Sequence, residues 1–177
     1  MAEIEEGIKV IPNDLEAEKS LLSAIINDKE AIMDVMGKIK ADDFFLEEHK
    51  LIFQAVIDLF NENVNIDLVL LQNKIAANGY KGTVIDIAYL ADIAGNVVIA
   101  TNAEEYARII KDKSILRQVI KNSRNTLQTC YGGEVPTSEI LQQVQTETFD
   151  LLSARQANDY VHVSEVVDEA LNKLEEL

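Results

Sequence analysis

One eight-residue stretch combines acidic and histidine side chains; it begins at Asp42 and reads Asp-Asp-Phe-Phe-Leu-Glu-Glu-His. Carboxylates and an imidazole are the residue types of a metal site or of general acid–base catalysis. One hypothesis is therefore a metal-dependent hydrolase that uses Asp42, Asp43, Glu47 and His49. The alternative is structural. Asp42 then caps a short turn, Glu47 and Glu48 lie in the favourable first turn of a helix, and His49 makes a local packing or hydrogen-bonding contact.

The remaining sequence offers little further chemistry. Residues 79–83 read Gly-Tyr-Lys-Gly-Thr and lack the glycine spacing and the Gly-Lys-Ser/Thr ending of a phosphate-binding loop. Cys130 has no histidine nearby in the sequence, and we expect a quiet, partly buried thiol. His162 lies in a predicted loop and is an equally weak metal ligand. These observations favour a non-catalytic interaction module that needs no cofactor and no metal.

Charge narrows the class of partner. The chain has 177 residues with 31 acidic and 16 basic side chains, a formal net charge of -15, and 47% of its residues are hydrophobic. A folded acidic protein is expected, and nucleic-acid binding is disfavoured because phosphates are held by clustered Lys and Arg. A free-standing acidic helical adaptor or DNA mimic remains an alternative. The acidic start MAEIEEGIKV and the lack of a long apolar run predict a cytoplasmic protein without a membrane span.

Helical periodicity, with only 7 glycines and 2 prolines, predicts an all-α fold. Asn13 and Glu16 have the spacing of a capping box at the start of the first helix. Asp28 is expected to cap a second helix that carries Ile32, Val35, Met36 and Ile39. Asp67 is expected to cap a helix that ends at Asn78-Gly79, and a shorter helix follows from about Asp86 to Ala94.

No glycine or proline interrupts residues 101–131, which predict one long helix. Residues 132–136, Gly-Gly-Glu-Val-Pro, predict a turn, after which Thr137 or Ser138 caps a partner helix in a helical hairpin. The expected organisation is an arm (1–12), a globular head (13–100), the hairpin (101–157) and a connection with a linker helix (158–177). Two helices cannot cover both of their apolar stripes, so the hairpin predicts subunit pairing. The pairing candidates are Leu116, Val119, Leu127, Ile140, Leu141, Val144 and Leu151.

The last segment predicts an amphipathic helix capped by Ser164. Its apolar stripe suits docking on a neighbouring chain, although folding back onto its own domain is the alternative. The docking candidates are Val167, Ala170, Leu171 and Leu174.

Several motifs together resemble the N-terminal region of the bacterial replicative DNA helicases of the DnaB type. The motifs are PNDLEAE from Pro12, DDFF from Asp42, HKLIF from His49, IDLV from Ile66, AYL from Ala88, N-x3-YARII from Asn102 and KSILR from Lys113. They stand in the family's order and at about its spacings, and they span essentially the whole chain. The resemblance implies a helical head, a hairpin and a linker helix that precede an ATPase domain carrying ATP and Mg.

The resemblance implies that the hairpins pair two subunits and that three such pairs form a collar on a hexameric ring. The linker helix docks on the motor domain of an adjacent subunit. The collar recruits primase through the primase's C-terminal helicase-binding domain and, in some systems, a helicase loader.

Three positions are carried over as primase-docking candidates. Tyr89 matches a tyrosine of the primase-facing surface, and Ile120 matches an apolar hairpin position of that surface; head core and hairpin seam are their structural alternatives. Thr126 stands where relatives have a second apolar residue, so a contact there is weaker or different. The chain also departs from the family at residues 84–87, where Val-Ile-Asp-Ile replaces a Gly-Gly pair, and at Val98, which replaces proline.

Overall fold

The computed structural model describes residues 10–80, 82, 84–96 and 102–156, which are folded mainly as α-helices. The helices of this part of the chain are α1 (Leu15–Asn27), α2 (Lys29–Val35), α3 (Glu47–Asn61), α4 (Leu68–Ala77), α5 (Ile87–Ala94), α6 (Ala103–Gly132) and α7 (Thr137–Gln156). A short 3-10 turn, Ala41–Asp43, precedes α3. The all-α class predicted from the sequence is confirmed. Within the described ranges, every helix is too short or too polar to cross a lipid bilayer.

Two predicted aspartate caps, Asp28 and Asp67, are confirmed, and Asp86, which the sequence placed at the start of a helix, also acts as a cap. Asp28, Asp67 and Asp86 accept hydrogen bonds from backbone N–H groups in the first turns of α2, α4 and α5, at 2.8–2.9 Å. Each bond satisfies a donor that has no partner inside its own helix. The predicted end of α4 is also confirmed: the helix stops at Ala77, and Gly79 adopts a φ of 98°, a left-handed conformation that suits glycine.

The predicted cap of the first helix is wrong by one residue. α1 begins at Leu15, and the side chain of Asp14, not that of Asn13, accepts from the backbone N–H of Ala17 at 3.0 Å. Glu16 therefore occupies the second helical position, one short of the position from which it would complete a capping box. The Asn13 amide instead donates to the Ile11 carbonyl at 2.8 Å.

Two further helix boundaries differ from the prediction. α2 ends at Val35 and does not continue through Ile39, because Gly37 adopts a φ of 82° and the chain reverses there. Ile39 is nevertheless buried, so its apolar character reflects the core and not the helix. α7 begins at Thr137, which places both predicted caps, Thr137 and Ser138, inside the helix.

The chain divides into two compact units, Met1–Ile120 and Lys121–Leu177. The division falls within α6, so the first half of that helix belongs to the same unit as α1 to α5. The sequence placed the end of the head at residue 100. In the first unit, α1 packs against α2, α3 and α5, and α4 packs against α3 and α5. The largest fully buried side chains of this core include Leu21, Leu22, Ile25, Ile32, Phe44, Ile52, Leu71, Ile75, Leu90, Ile93 and Ile110.

The hairpin consists of α6 and α7, joined by residues 133–136. The first half of α6 buries Ala103, Ala107, Ile110 and Ser114, which recur every three or four residues and therefore share one face. Beyond Ser114 no described residue of α6 is buried. A single helix thus begins as part of a core and ends without one.

Candidate interaction site

A buried carboxylate–histidine pair joins α1 to α3. Glu18 and His49 are 1% and 0% exposed, and His49 Nδ1 lies 2.6 Å from Glu18 Oε2. Because a carboxylate only accepts, Nδ1 carries the proton and donates it. Glu18 also accepts from the backbone N–H groups of Phe45 and Leu46, just before α3 begins. A hydrogen-bonding role for His49 was expected, but its partner lies 31 residues away and is not local.

A separate ion pair, largely shielded from solvent, fixes the turn before α3 to the long helix. Lys111 Nζ donates to both carboxylate oxygens of Asp43, at 2.9 and 3.1 Å. Asp43 also accepts from the backbone N–H of Lys40 at 2.9 Å, the role that the sequence assigned to Asp42. Asp43 is therefore the residue that closes the turn, and its charge is balanced by α6.

Arg117 adds a third tie between α6 and the same turn. Its guanidinium donates to the carbonyl oxygens of Pro12, at 2.9 Å, and of Asp43, and it lies 5.7 Å from the centre of the Phe45 ring. Burial lowers the pKa of Arg117, and the negative charges of Glu18 and Asp43 oppose that shift. Arg117 therefore joins the N-terminal segment, the turn and α6.

These contacts contradict the hydrolase hypothesis. Asp43 is engaged by Lys111 and His49 by Glu18, whereas Asp42 and Glu47 are exposed. Nowhere in the described part of the chain do three or more His, Cys, Asp or Glu side chains converge in a way that suits a metal ion. The structural interpretation of this stretch is therefore the better one, and Glu47 and Glu48 do occupy the first turn of α3.

Sequence reasoning did not find Glu18, Lys111 or Arg117. A signal was present for the two cations, since Lys111 and Arg117 lie near the face of α6 that is marked by the buried Ile110 and Ser114. A cation among apolar positions of a helix often pairs with a buried carboxylate.

The three primase-docking candidates lie on two helices, Tyr89 on α5 and both Ile120 and Thr126 on α6. Tyr89 is half-buried on α5 and packs against the core of the first unit, so its structural alternative is supported. Burial raises the pKa of the Tyr89 hydroxyl, and the nearby carboxylates of Glu48, Asp92 and Glu18 raise it further. Ile120 is 36% exposed at the end of the first unit, and Thr126 is half-buried in the second unit.

The pairing candidates of the hairpin are largely open to solvent. Two are half-buried, Ile140 and Leu151. The others are exposed, namely Leu116, Val119, Leu127, Leu141 and Val144. Other large apolar side chains of the second unit are exposed as well, among them Phe149 and Leu152. Contiguous exposed apolar side chains on a helix are typical of a protein–protein interface.

The predicted burial of Cys130 is wrong, since this cysteine is exposed near the end of α6. The linker-helix candidates Val167, Ala170, Leu171 and Leu174 lie outside the described residues, as do His162 and Val98.

A small helical core and a long hairpin with exposed apolar side chains define the class of the fold: an all-helical domain. A family model, the DnaB-like helicase N terminal domain, matches residues 10–112. The chain belongs to this family.

Full-length relatives and a solved structure agree with this assignment. The chain is 30% identical over 177 residues to the replicative DNA helicase DnaB of Pasteurella multocida (strain Pm70), and the match covers 97% of this chain. The chain is 26% identical over 164 residues to the replicative DNA helicase DnaB of Leifsonia xyli subsp. xyli (strain CTCB07), and this match covers 93% of the chain. These matches span only 37% and 36% of the two relatives.

The crystal structure of the N-terminal domain of DnaB helicase from Mycobacterium tuberculosis superimposes with a TM-score of 0.72 at 29% identity. The superposition covers 79% of this chain and 99% of that chain. The matched region is thus the non-catalytic N-terminal domain of a replicative helicase.

Proposed function

We propose that this chain forms the N-terminal collar of a hexameric replicative DNA helicase, where it pairs subunits through its hairpin and docks primase during DNA replication. The observation that carries the proposal is the exposure of the hairpin's apolar side chains, from Leu116 on α6 to Leu152 on α7. Burying such side chains against a second copy removes apolar surface from water, which favours association.

Primase docking rests on a smaller set of residues. Tyr89 is half-buried on α5, and Ile120 is partly exposed on α6. An aromatic ring that is partly buried yet accessible is a common anchor in protein interfaces. The partner is the C-terminal helicase-binding domain of primase, and a helicase loader is a further candidate for the same collar. The stripe Val167, Ala170, Leu171 and Leu174 would dock on the motor domain of an adjacent subunit.

Pairing is tested by size-exclusion chromatography with multi-angle light scattering over about three decades of concentration. We expect dimers or larger species whose dissociation constant rises about tenfold or more in Leu127→Ala, because the variant removes most of the apolar area that the leucine side chain would bury on pairing. The matched control is Met33→Ala on α2, since Met33 and Leu127 are each 56% exposed. A wild-type chain that is monomeric at every concentration, or equal effects of the two variants, would contradict the pairing.

Primase docking is tested in the same apparatus by adding the helicase-binding domain of the cognate primase. A gain in mass that is lost in Tyr89→Ala supports the proposal. Tyr106→Ala is the matched control, because Tyr106 is also half-buried against the core but lies on α6. If both variants bind primase as wild type does, Tyr89 is not a docking residue; if wild type does not bind, the docking function itself is wrong.

A further inference from the structure

Among its described residues, the second unit has no buried core. From Lys121 to Arg155, no described side chain is buried, in contrast to the many fully buried residues of the first unit. Two helices that bury little against each other gain little free energy to offset the entropy lost on ordering the chain. The helical structure of this segment therefore requires a further source of stability.

The inner face of this unit, defined here as its half-buried side chains, is largely polar. On α6 these residues are Asn122, Thr126 and Thr129; on α7 they are Ile140, Glu147, Leu151 and Ala154. Spacings of three, four and seven residues place each set on one side of its helix. All three α6 residues are polar, and α7 supplies only Ile140 and Leu151 as large apolar side chains.

The outer face is more apolar than the inner face. The exposed large apolar side chains of this unit are Leu127, Tyr131, Val135, Leu141, Val144, Phe149 and Leu152. Phe149 is 68% exposed and Leu141 is 65% exposed. This distribution reverses that of a stable helix pair, in which the larger apolar residues face inward.

Charge favours a second copy of the same hairpin as the covering partner. From residue 121 to 132, α6 carries the cations Lys121 and Arg124 and no carboxylate. α7 carries three carboxylates and one guanidinium, which leaves it with net negative charge. Opposed pairing, α6 of one copy beside α7 of the other, brings unlike charges together in both directions, as a two-fold interface requires.

We propose that the helices of residues 121–156 fold when two copies pair, so that an unpaired subunit has a folded first unit and an unfolded hairpin end. The proposal rests on the pairing argued above. The ordered hairpin is then the paired state, and loss of the partner exposes a flexible segment that is unable to present the collar surface. Assembly and hairpin folding become one equilibrium.

The coupling is tested by amide hydrogen exchange with mass spectrometry on the full chain across the same dilution series. Peptides of residues 121–156 are compared with peptides of α3 at concentrations where light scattering reports monomer and dimer. We expect exchange in the hairpin peptides to slow by about tenfold or more on dimerisation, while the α3 peptides stay protected throughout.

A variant with leucines on the inner face, the seam-filling variant, separates folding of the hairpin from pairing of the subunits; the seam is the inner face defined above. Asn122→Leu with Thr126→Leu makes the inner face apolar and is expected to slow hairpin exchange in the monomer by about tenfold or more. Ser123→Leu with Asn125→Leu is the control, because both residues are exposed on the same helix and serine, asparagine and threonine have similar helix propensities, so the variant gains comparable propensity without filling the inner face. The control is expected to exchange as fast as the wild-type monomer.

Each result bears on one of the two proposals. Dimers whose hairpin is equally protected in the monomer would overturn the coupling and leave the pairing intact. A chain that never dimerises would overturn both, since no second copy would then order the hairpin. Equal protection in the seam-filling and control variants would show that helix propensity, and not the polar seam, limits hairpin stability.

Discussion

Lys111 and Asp43 form a largely buried ion pair across 68 residues of sequence, with Lys111 Nζ at 2.9 and 3.1 Å from the two carboxylate oxygens. The pair joins the long helix α6 to the turn that precedes α3. The side chains are 13% and 6% exposed, so solvent screens their interaction only weakly. This pair and Arg117 fix the N-terminal half of α6 to the rest of the first unit.

Removal of the lysine charge is expected to destabilise the first unit. Lys111→Met should lower the free energy of unfolding by about 3 kcal/mol, because it leaves the Asp43 carboxylate buried without its counter-ion. Urea denaturation followed by far-UV circular dichroism measures the change. The matched control is Lys38→Met, which breaks the exposed Lys38–Glu104 pair to the same helix and should cost less than about 1 kcal/mol. Equal losses would show that the Asp43 pair has no special role.

Glu18 and His49 should behave as one energetic unit. Glu18→Gln is expected to cost about 2 kcal/mol, because an amide satisfies the donors of Phe45, Leu46 and His49 less well than a carboxylate. In a double-mutant cycle with His49→Gln, the two costs should fail to add by about 1 kcal/mol or more. The exposed Gln54–Asp58 hydrogen bond, at 2.8 Å on the same helix, provides the control cycle. Additive costs at Glu18 and His49 would argue against a coupled pair.

Arg117 should not be replaceable by lysine. Its planar guanidinium reaches two separate carbonyl oxygens and lies over the Phe45 ring, whereas an ammonium group lacks that geometry. Arg117→Lys is therefore expected to cost about 1–2 kcal/mol of unfolding free energy, measured by chemical denaturation. Arg108→Lys on the exposed face of α6 retains an ion pair with Glu105 and should change stability by less than about 0.5 kcal/mol.

Deprotonation of Tyr89 is expected to lower the stability of the folded protein at alkaline pH. Burial and neighbouring carboxylates raise its folded-state pKa above the ordinary 10.0, so the folded protein holds the hydroxyl proton more tightly than the unfolded chain does. This contribution is fully present below pH 10 and is lost as pH rises from 10 through the higher folded-state pKa. Melting temperatures between pH 9 and about 11.5 measure the effect.

Tyr89→Phe should flatten that alkaline dependence, because phenylalanine has no proton to lose. Tyr131→Phe, at a tyrosine that is 84% exposed, should leave the dependence as it is in wild type. An unchanged alkaline slope in Tyr89→Phe would assign the instability to another group.

Local sequence rules determined much of the fold. Apolar spacing predicted the all-α class and the positions of the helices, and aspartates 28, 67 and 86 marked three helix starts correctly. These features depend on residues within one or two turns of each other, so the sequence expresses them directly. The error at Asn13 is of one residue, because neighbouring polar side chains compete for the same cap. The error at the end of α2 is of a few residues, because an apolar residue such as Ile39 suits a buried turn as well as a helix.

The tertiary structure decided what the polar residues do. The stretch that begins at Asp42 has the composition of a metal site. Its Asp43 nevertheless pairs with Lys111, 68 residues away, and its His49 is hydrogen-bonded to Glu18, 31 residues away, so both side chains hold the fold together. The sequence identified the apolar stripes of the hairpin, but only the packed chain showed that the fully buried residues of α6 end at Ser114. Burial and ion pairing depend on which distant segments the fold brings together, and a one-dimensional pattern does not contain those distances.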